Sequence, residues 1–408
     1  MRRSTAFLQE SCANMAKTTN WRGVFVLFLV GATTALLLAK AAVALPVLQL
    51  EFGLNLFQAG LLVSIFALVA TMFAAMFGAI ADRYGQRRIG GLGLLITIAA
   101  STLGAFAPNA TVLLICRMAE GLGVFLVSAA VPVLMLQQSA ERDRQEAMGL
   151  WGAFVPAGGS TILLLGGLII DSFGWRGLWL FTSIALLVAA GAFLLVTKNQ
   201  SAPPTRQNNI SLGSPYRLLA LPGPLIMVLI FVCYSAQYMS LTAYLPLILV
   251  QEIGWSIAAT GLAAGIVFGC NMIGNIASGI LLDKGVSRQN VVIIGSTAMG
   301  IGGIGLFGDF LPVEGRLAGA ILFSAIGGLV PGALLAGISR HAPDSSRLSS
   351  FNGVLMMGAA LGQLLGPPIA AVCVGNTGDW TRILMFSLTA ASLAALLALF
   401  LGKLERAH

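Results

Sequence analysis

Twelve apolar stretches, each about 20 to 27 residues long, follow one another along the chain with short polar breaks between them. At 1.5 Å per residue, each reaches across a hydrocarbon layer of about 30 Å. Lipid offers no partner for a backbone N–H or C=O, so a segment of this length has to satisfy its own groups as a helix. A membrane β-barrel would show alternating segments of about 10 residues instead. The stretches cover 21–47, 56–80, 87–106, 110–137, 147–170, 175–197, 223–250, 258–282, 290–308, 316–338, 351–374 and 381–402. Hydrophobic residues make up 57% of the 408 and charged residues 9%, a balance that excludes a water-soluble domain. The chain is expected to be an all-α membrane protein with twelve transmembrane helices.

The formal net charge of +8 raises the question of a nucleic-acid partner, and the placement of the charges answers it. With the N-terminus in the cytoplasm, eighteen of the 23 Lys and Arg fall on cytoplasmic segments. Arg176, Arg316 and Arg382 fall outside, and Lys40 and Arg117 fall within spans. This is the positive-inside bias. The basic balance therefore reports orientation, with both termini cytoplasmic in a bacterial inner membrane, and no nucleic-acid partner is expected. Cys116, Cys233, Cys270 and Cys373 lie within spans and Cys12 in the tail, so free thiols are expected. Residues 1–20 read as a basic cytoplasmic tail in which Met1 and Met15 are both available as starts.

A Pro-, Ser- and Asn-rich interruption, KNQSAPPTRQNNISLGSPYR at 198–217, separates spans six and seven. It divides the chain into an N-terminal half (21–197), a cytoplasmic linker (198–222), a C-terminal half (223–402) and a tail (403–408). The halves repeat one another: Leu45-Pro46 answers Leu245-Pro246, and Gly60, Gly78, Asp82 and Arg87 answer Gly261, Gly279, Asp283 and Arg288. Duplication of a six-helix unit suits a transporter built as two halves that move against each other.

Between spans two and three stands GAIADRYGQRR, residues 78–88. Asp82 ends one helix, Arg83, Arg87 and Arg88 mark the cytoplasmic face, and Gly85 permits a tight reversal. The second half carries GILLDKGVSR, with Asp283, Lys284 and Arg288 in register and Val286 opposite Gly85. Gly78, Asp82, Arg83, Gly85, Arg87 and Arg88 match the pattern G-x-x-x-D-R/K-x-G-x-R-R/K, in which the chain resembles the major facilitator superfamily. LLICRMAEGLG at 113–123 resembles that family's fourth-helix motif, with Glu120 in place of the customary Gln. The resemblance implies a fold of two six-helix pseudo-repeats, a cavity lined by spans one, four, seven and ten, and gating roles for the charged residues at 82–88 and 283–288. Asp82 and Arg87 would then act as a latch between the halves rather than as solute ligands. Gly261, Gly265 and Gly269, and likewise Gly358, Gly362 and Gly366, recur every four residues and present a small face for close helix approach, whether static or sliding.

Three ionisable groups lie deep in the spans: Lys40 in LLLAKAAVALP of span one, and Arg117 and Glu120 in span four. A lysine at the centre of a spanning helix costs roughly 2.5 to 3.5 kcal/mol on insertion scales, so a role is expected for it. Arg117 and Glu120 are three residues apart and share a helix face. Two cations and one carboxylate leave +1, which suits an anionic solute, with Lys40 and Arg117 as its charge contacts and Glu120 as a proton carrier. The alternative is a purely structural pairing of Glu120 with Lys40 or Arg117. Span seven adds Tyr234, Gln237 and Tyr238, and span eleven Gln363, as groups able to orient a polar solute. Asn271 and Asn275 read as interhelical hydrogen-bonding residues.

His341 and His408 lie in loop and tail, and no Cys/His cluster has metal-ligand spacing. Neither an enzyme, a metal nor a cofactor is expected. The function expected is gradient-driven, proton-coupled transport of a small organic or inorganic anion by a monomer in the bilayer. A drug or metabolite exporter is the alternative within transport, and a non-transporting receptor or scaffold the alternative outside it.

Overall fold

The computed structural model describes residues 18–198, 215–341, 348–375 and 378–407. Within them the regular structure is helical throughout. Cys12, Met15, His408 and most of the linker lie outside the described residues, as does the side chain of Asp82.

The first helix, α1, spans Trp21–Phe52. Asn20 caps it by accepting a hydrogen bond from the Gly23 amide, and Gly53 ends it at φ 61°. Helix α2 comprises Leu56–Ser64 and Leu68–Tyr84, joined by a 3₁₀ turn at Ile65–Ala67. Helices α3 and α4 follow as Gln86–Ala105 and Ala110–Gln138. After a short helix at Arg144–Gly152, the long run Phe154–Val196 breaks at Gly174, whose φ of 70° and ψ of 175° turn the chain back. This gives α5 (154–173) and α6 (175–196). The second half contains α7 (Pro222–Gln251), α8 (Ile257–Asp283) and α9 (Arg288–Phe307). It continues with α10 (Val313–Gly327 and Leu329–Ala336), α11 (Leu348–Val374) and α12 (Arg382–Ala407). Eleven described helical stretches are long and apolar enough to cross a membrane, and the one that contains Gly174 supplies two crossings. Twelve spans in two sets of six result.

Gly85 has φ 92° and joins α2 to α3 without a loop. The second half reaches the same conformation one position earlier than the sequence register suggests, since Gly285 with φ 85° makes the turn that Val286 does not.

The halves meet at the face opposite the basic loops. There Gln251 of α7 donates to Gln49 of α1 at 3.0 Å, and Tyr244 of α7 donates to the carbonyls of Leu56 (3.3 Å) and Pro367 (2.8 Å). The two glycine series do different work. A Cβ on Gly261 would lie 2.6 Å from the Leu163 carbonyl of α5, so the α8 series is an inter-half contact. A Cβ on Gly366 would lie 2.2 Å from the Ala236 carbonyl of α7, so the α11 series packs within its own half. Toward the basic face, Gly149 and Gly152 before α5 and Gly279 on α8 meet nothing within 4 Å. On that side α2 still touches α11, with Ala75 against Gly353.

Candidate functional site: a buried ion cluster

Helical period puts Arg117 and Glu120 on one face of α4, and packing of α1 against α4 brings Lys40 to them. Glu120 is the bridge. Its Oε1 accepts from Lys40 Nζ at 2.6 Å and its Oε2 from Arg117 Nη1 at 2.6 Å, and all three side chains are fully buried. The three groups are enclosed within the N-terminal half.

Each cation has further partners. Arg117 Nη1 also donates to the Leu37 carbonyl of α1 at 2.8 Å, and its Nε reaches the Leu62 carbonyl at 3.4 Å, beside the 3₁₀ turn of α2. Its guanidinium stands 5.0 Å from the Phe66 ring centre, while Nη2 has no hydrogen-bond partner. Lys40 Nζ donates to Ser101 of α3 at 2.7 Å and to Thr182 of α6 at 3.3 Å, and lies 4.5 Å from the Trp179 ring centre. Sequence reasoning missed Ser101, Thr182 and Trp179. A signal existed for Thr182, a hydroxyl within a span one turn from Trp179, but nothing in the sequence said that it meets span one.

In the C-terminal half, Asn271 Nδ2 donates to Tyr234 Oη at 2.9 Å and to the Ser324 carbonyl at 3.0 Å, and Asn275 donates to Asn271 Oδ1 at 2.9 Å. Tyr234 and Tyr238 stack at 5.7 Å, and Tyr238 Oη donates to the Phe268 carbonyl at 3.1 Å. Gln237 donates to the Cys233 carbonyl at 3.1 Å and accepts from Ser387 at 3.2 Å. The Oε1 of Gln363 is buried without a partner. Among the described residues no hydrogen bond joins these groups to the ion cluster. Between α5, α7 and α8 a narrow cleft of about 10 Å³, lined by Leu163, Tyr238, Thr242 and Phe268, holds room for about one water.

The family model of the Major Facilitator Superfamily matches residues 23–343 and 226–408. The chain belongs to the major facilitator superfamily. It is a multi-pass membrane protein. Among curated relatives, the quinolone resistance protein NorB of Staphylococcus aureus, in strains JH9 and Newman, is 27% identical over 168 residues. That match covers 41% of this chain and 35% of NorB, so the chain spans about a third of the length of the relatives it matches. Two crystal structures of a bacterial homolog of the human lysosomal transporter Spinster, inward-facing and either unoccupied or occupied, have the same fold. Each gives a TM-score of 0.78 at 16% and 15% identity, covering 95% of this chain and 98% of the other.

In the superfamily's signature segment, Arg83, Arg87 and Arg88 are exposed, while Gly78 and Asp82 sit in the last turns of α2. The second copy is engaged differently. Arg288 pairs with Glu405 of α12 and donates to the Ala333 carbonyl at 3.0 Å, and His341 lies 2.9 Å from the same carboxylate. These contacts are within the C-terminal half. Asp283 and Lys284 are exposed at the end of α8.

Proposed function

We propose that the protein is a proton-coupled secondary transporter of a small organic or inorganic anion, acting as a monomer in a bacterial inner membrane with its basic face and both termini in the cytoplasm. The observation that carries this reading is the composition of the buried cluster. Lys40, Arg117 and Glu120 are the only charged groups among the buried described residues, and together they hold one positive charge in excess. In a low-dielectric interior that charge acts over a long range, and it selects against a cation. Protonation of Glu120 raises the excess from +1 to +2, which strengthens the attraction for an anion, and loss of the proton weakens it again. Proton and anion thus favour each other's presence, which is the thermodynamic requirement for coupled movement. The unpartnered Arg117 Nη2 is a donor available to an anion's oxygen. Tyr234, Gln237, Tyr238 and Gln363 would orient the rest of the solute from the opposite half. Asp82, Arg83, Arg87 and Arg88, with Gly78 and Gly85, and Asp283, Lys284 and Arg288 would govern closure of the cytoplasmic face.

A second reading, proton-driven export of a neutral amphipathic compound, draws on the Tyr234–Tyr238 stack, the neighbouring Phe268 and the resemblance to NorB. Proteoliposome uptake under an imposed pH gradient separates the two. Organic and inorganic anions, neutral dyes and cationic dyes are compared in wild type, Lys40→Ala and Glu120→Gln. Anion flux lost in both variants supports the first reading, dye flux that depends only on Glu120 supports the second, and normal flux in both variants removes the cluster from transport.

A further inference from the structure

The ammonium of Lys40 is turned toward α3 and α6. Helix α3 makes its principal contacts within the N-terminal half, away from the other half. The hydrogen-bonding roles around Nζ are constrained. An ammonium has three donors and no acceptor, and three oxygens surround this one: Glu120 Oε1, Ser101 Oγ and Thr182 Oγ1. Each hydroxyl has an acceptor for its own proton away from Nζ: the Trp179 carbonyl, at 3.2 Å from Ser101 and 2.8 Å from Thr182, or the other hydroxyl at 3.0 Å. Ser183 donates to the same carbonyl at 2.9 Å. The lone pairs of Ser101 and Thr182 are thereby left to face Nζ. The indole of Trp179 closes the remaining side with the negative face of its ring. A neutral amine would need a donor for its lone pair, and this shell supplies one only from a hydroxyl turned away from its own acceptor or from Glu120 once it is protonated.

We infer that Ser101 and Thr182, with the ring of Trp179, are positioning residues that form a cage for the ammonium form of Lys40, so that Glu120 is the group that takes up and releases the transported proton. The inference rests on the proton-coupled reading above and adds the reason why the cluster can reach +2. When a proton arrives at Glu120, the carboxylate becomes a carboxylic acid and Lys40 loses its counter-charge. Without the cage the ammonium would face a neutral acid with two acceptors fewer, so the cluster would reach +2 only in stronger acid and less would be gained for an anion. With the cage, the ammonium keeps two oxygens and a ring face, and the added charge persists until Glu120 gives up its proton.

Infrared difference spectroscopy of the full chain in lipid nanodiscs, titrated with acid, tests this without any solute. In wild type a carboxylic acid C=O band that is missing in Glu120→Gln should appear with a single midpoint. In Ser101→Ala/Thr182→Val that midpoint should fall by about one pH unit, because the ammonium left by protonating Glu120 has lost two acceptors. The conservative pair Ser101→Thr/Thr182→Ser should restore it. Ser101→Ala alone should give a smaller shift in the same direction and carries the test if the double variant does not fold. A midpoint unchanged by both Ser101→Ala and the double variant would overturn the cage while leaving proton coupling intact. Absence of any Glu120 band in wild type between pH 4 and 9 would instead overturn the proton-coupled reading itself.

Discussion

Lys40 Nζ and Glu120 Oε1 lie 2.6 Å apart with neither side chain exposed, and the other oxygen of the same carboxylate holds Arg117 at the same distance. One acid therefore serves two cations that come from different helices. Desolvating three charges is expensive, and their mutual attraction offsets this only while the set is complete. The arrangement is thus most sensitive to loss of its central member.

Glu120→Gln leaves two buried cations with no counter-charge, whereas Lys40→Ala leaves a neutral Arg117–Glu120 pair. The Gln variant should be destabilised by about 3 to 5 kcal/mol and the Ala variant by distinctly less, measured by thermal unfolding in detergent with equal lipid content. Equal losses would show that the carboxylate is not the keystone.

The outer contact between the halves makes a steric prediction. A methyl at Gly167 would meet the Ile257 carbonyl at 2.4 Å and Ala258 Cα at 2.7 Å, both backbone atoms that cannot swing aside. Gly167→Ala should disfavour the conformation closed on that face by about 1 to 3 kcal/mol, seen as raised maleimide labelling of cysteines placed beneath the contact. Gly279→Ala, which meets nothing within 4 Å, is the control and should behave as wild type.

Gln49 and Gln251 lie near the ends of α1 and α7 and bond at 3.0 Å across the halves. In a background lacking the native cysteines, Gln49→Cys/Gln251→Cys joined by a short bifunctional maleimide should abolish transport, while either single variant treated alike retains it. Continued flux after complete cross-linking would show that this face need not open.

Beyond the last apolar stretch, Glu405 gathers Arg288 and His341 at the basic face. Burial pushes its carboxyl up, but the hydrogen bond with His341 and the charge of Arg288 outweigh this and hold it below the ordinary value of 4.5. A depressed carboxyl contributes stability that is fully present above that ordinary value and is lost as pH falls through the lower, folded one. Wild type should therefore lose stability as acid is added below about pH 4.5, and Glu405→Gln should lack that component and be weaker by about 1 to 2 kcal/mol at pH 7, as read from unfolding midpoints.

Much of this molecule was legible before any coordinates. Span lengths, the break near residue 200, the repeated Asp and Arg residues and the shared helix face of Arg117 and Glu120 all follow from local rules: 1.5 Å per residue, 3.6 residues per turn and the absence of water in lipid. Local rules also identified Lys40 as the residue that needs an explanation. They could not say which way it turns. Its partners Ser101, Glu120 and Thr182 are 61, 80 and 142 residues away, and helical period assigns a residue to a face without naming the helix that the face meets. The glycine series give the same lesson, since identical spacing in α8 and α11 produced a contact between halves in one case and within a half in the other. Sequence alone thus determined that the chain spans a membrane as two related six-helix units with three charges inside. Only tertiary packing decided that these charges share one carboxylate inside the first unit, because contacts between helices far apart in the chain depend on how twelve cylinders fit together.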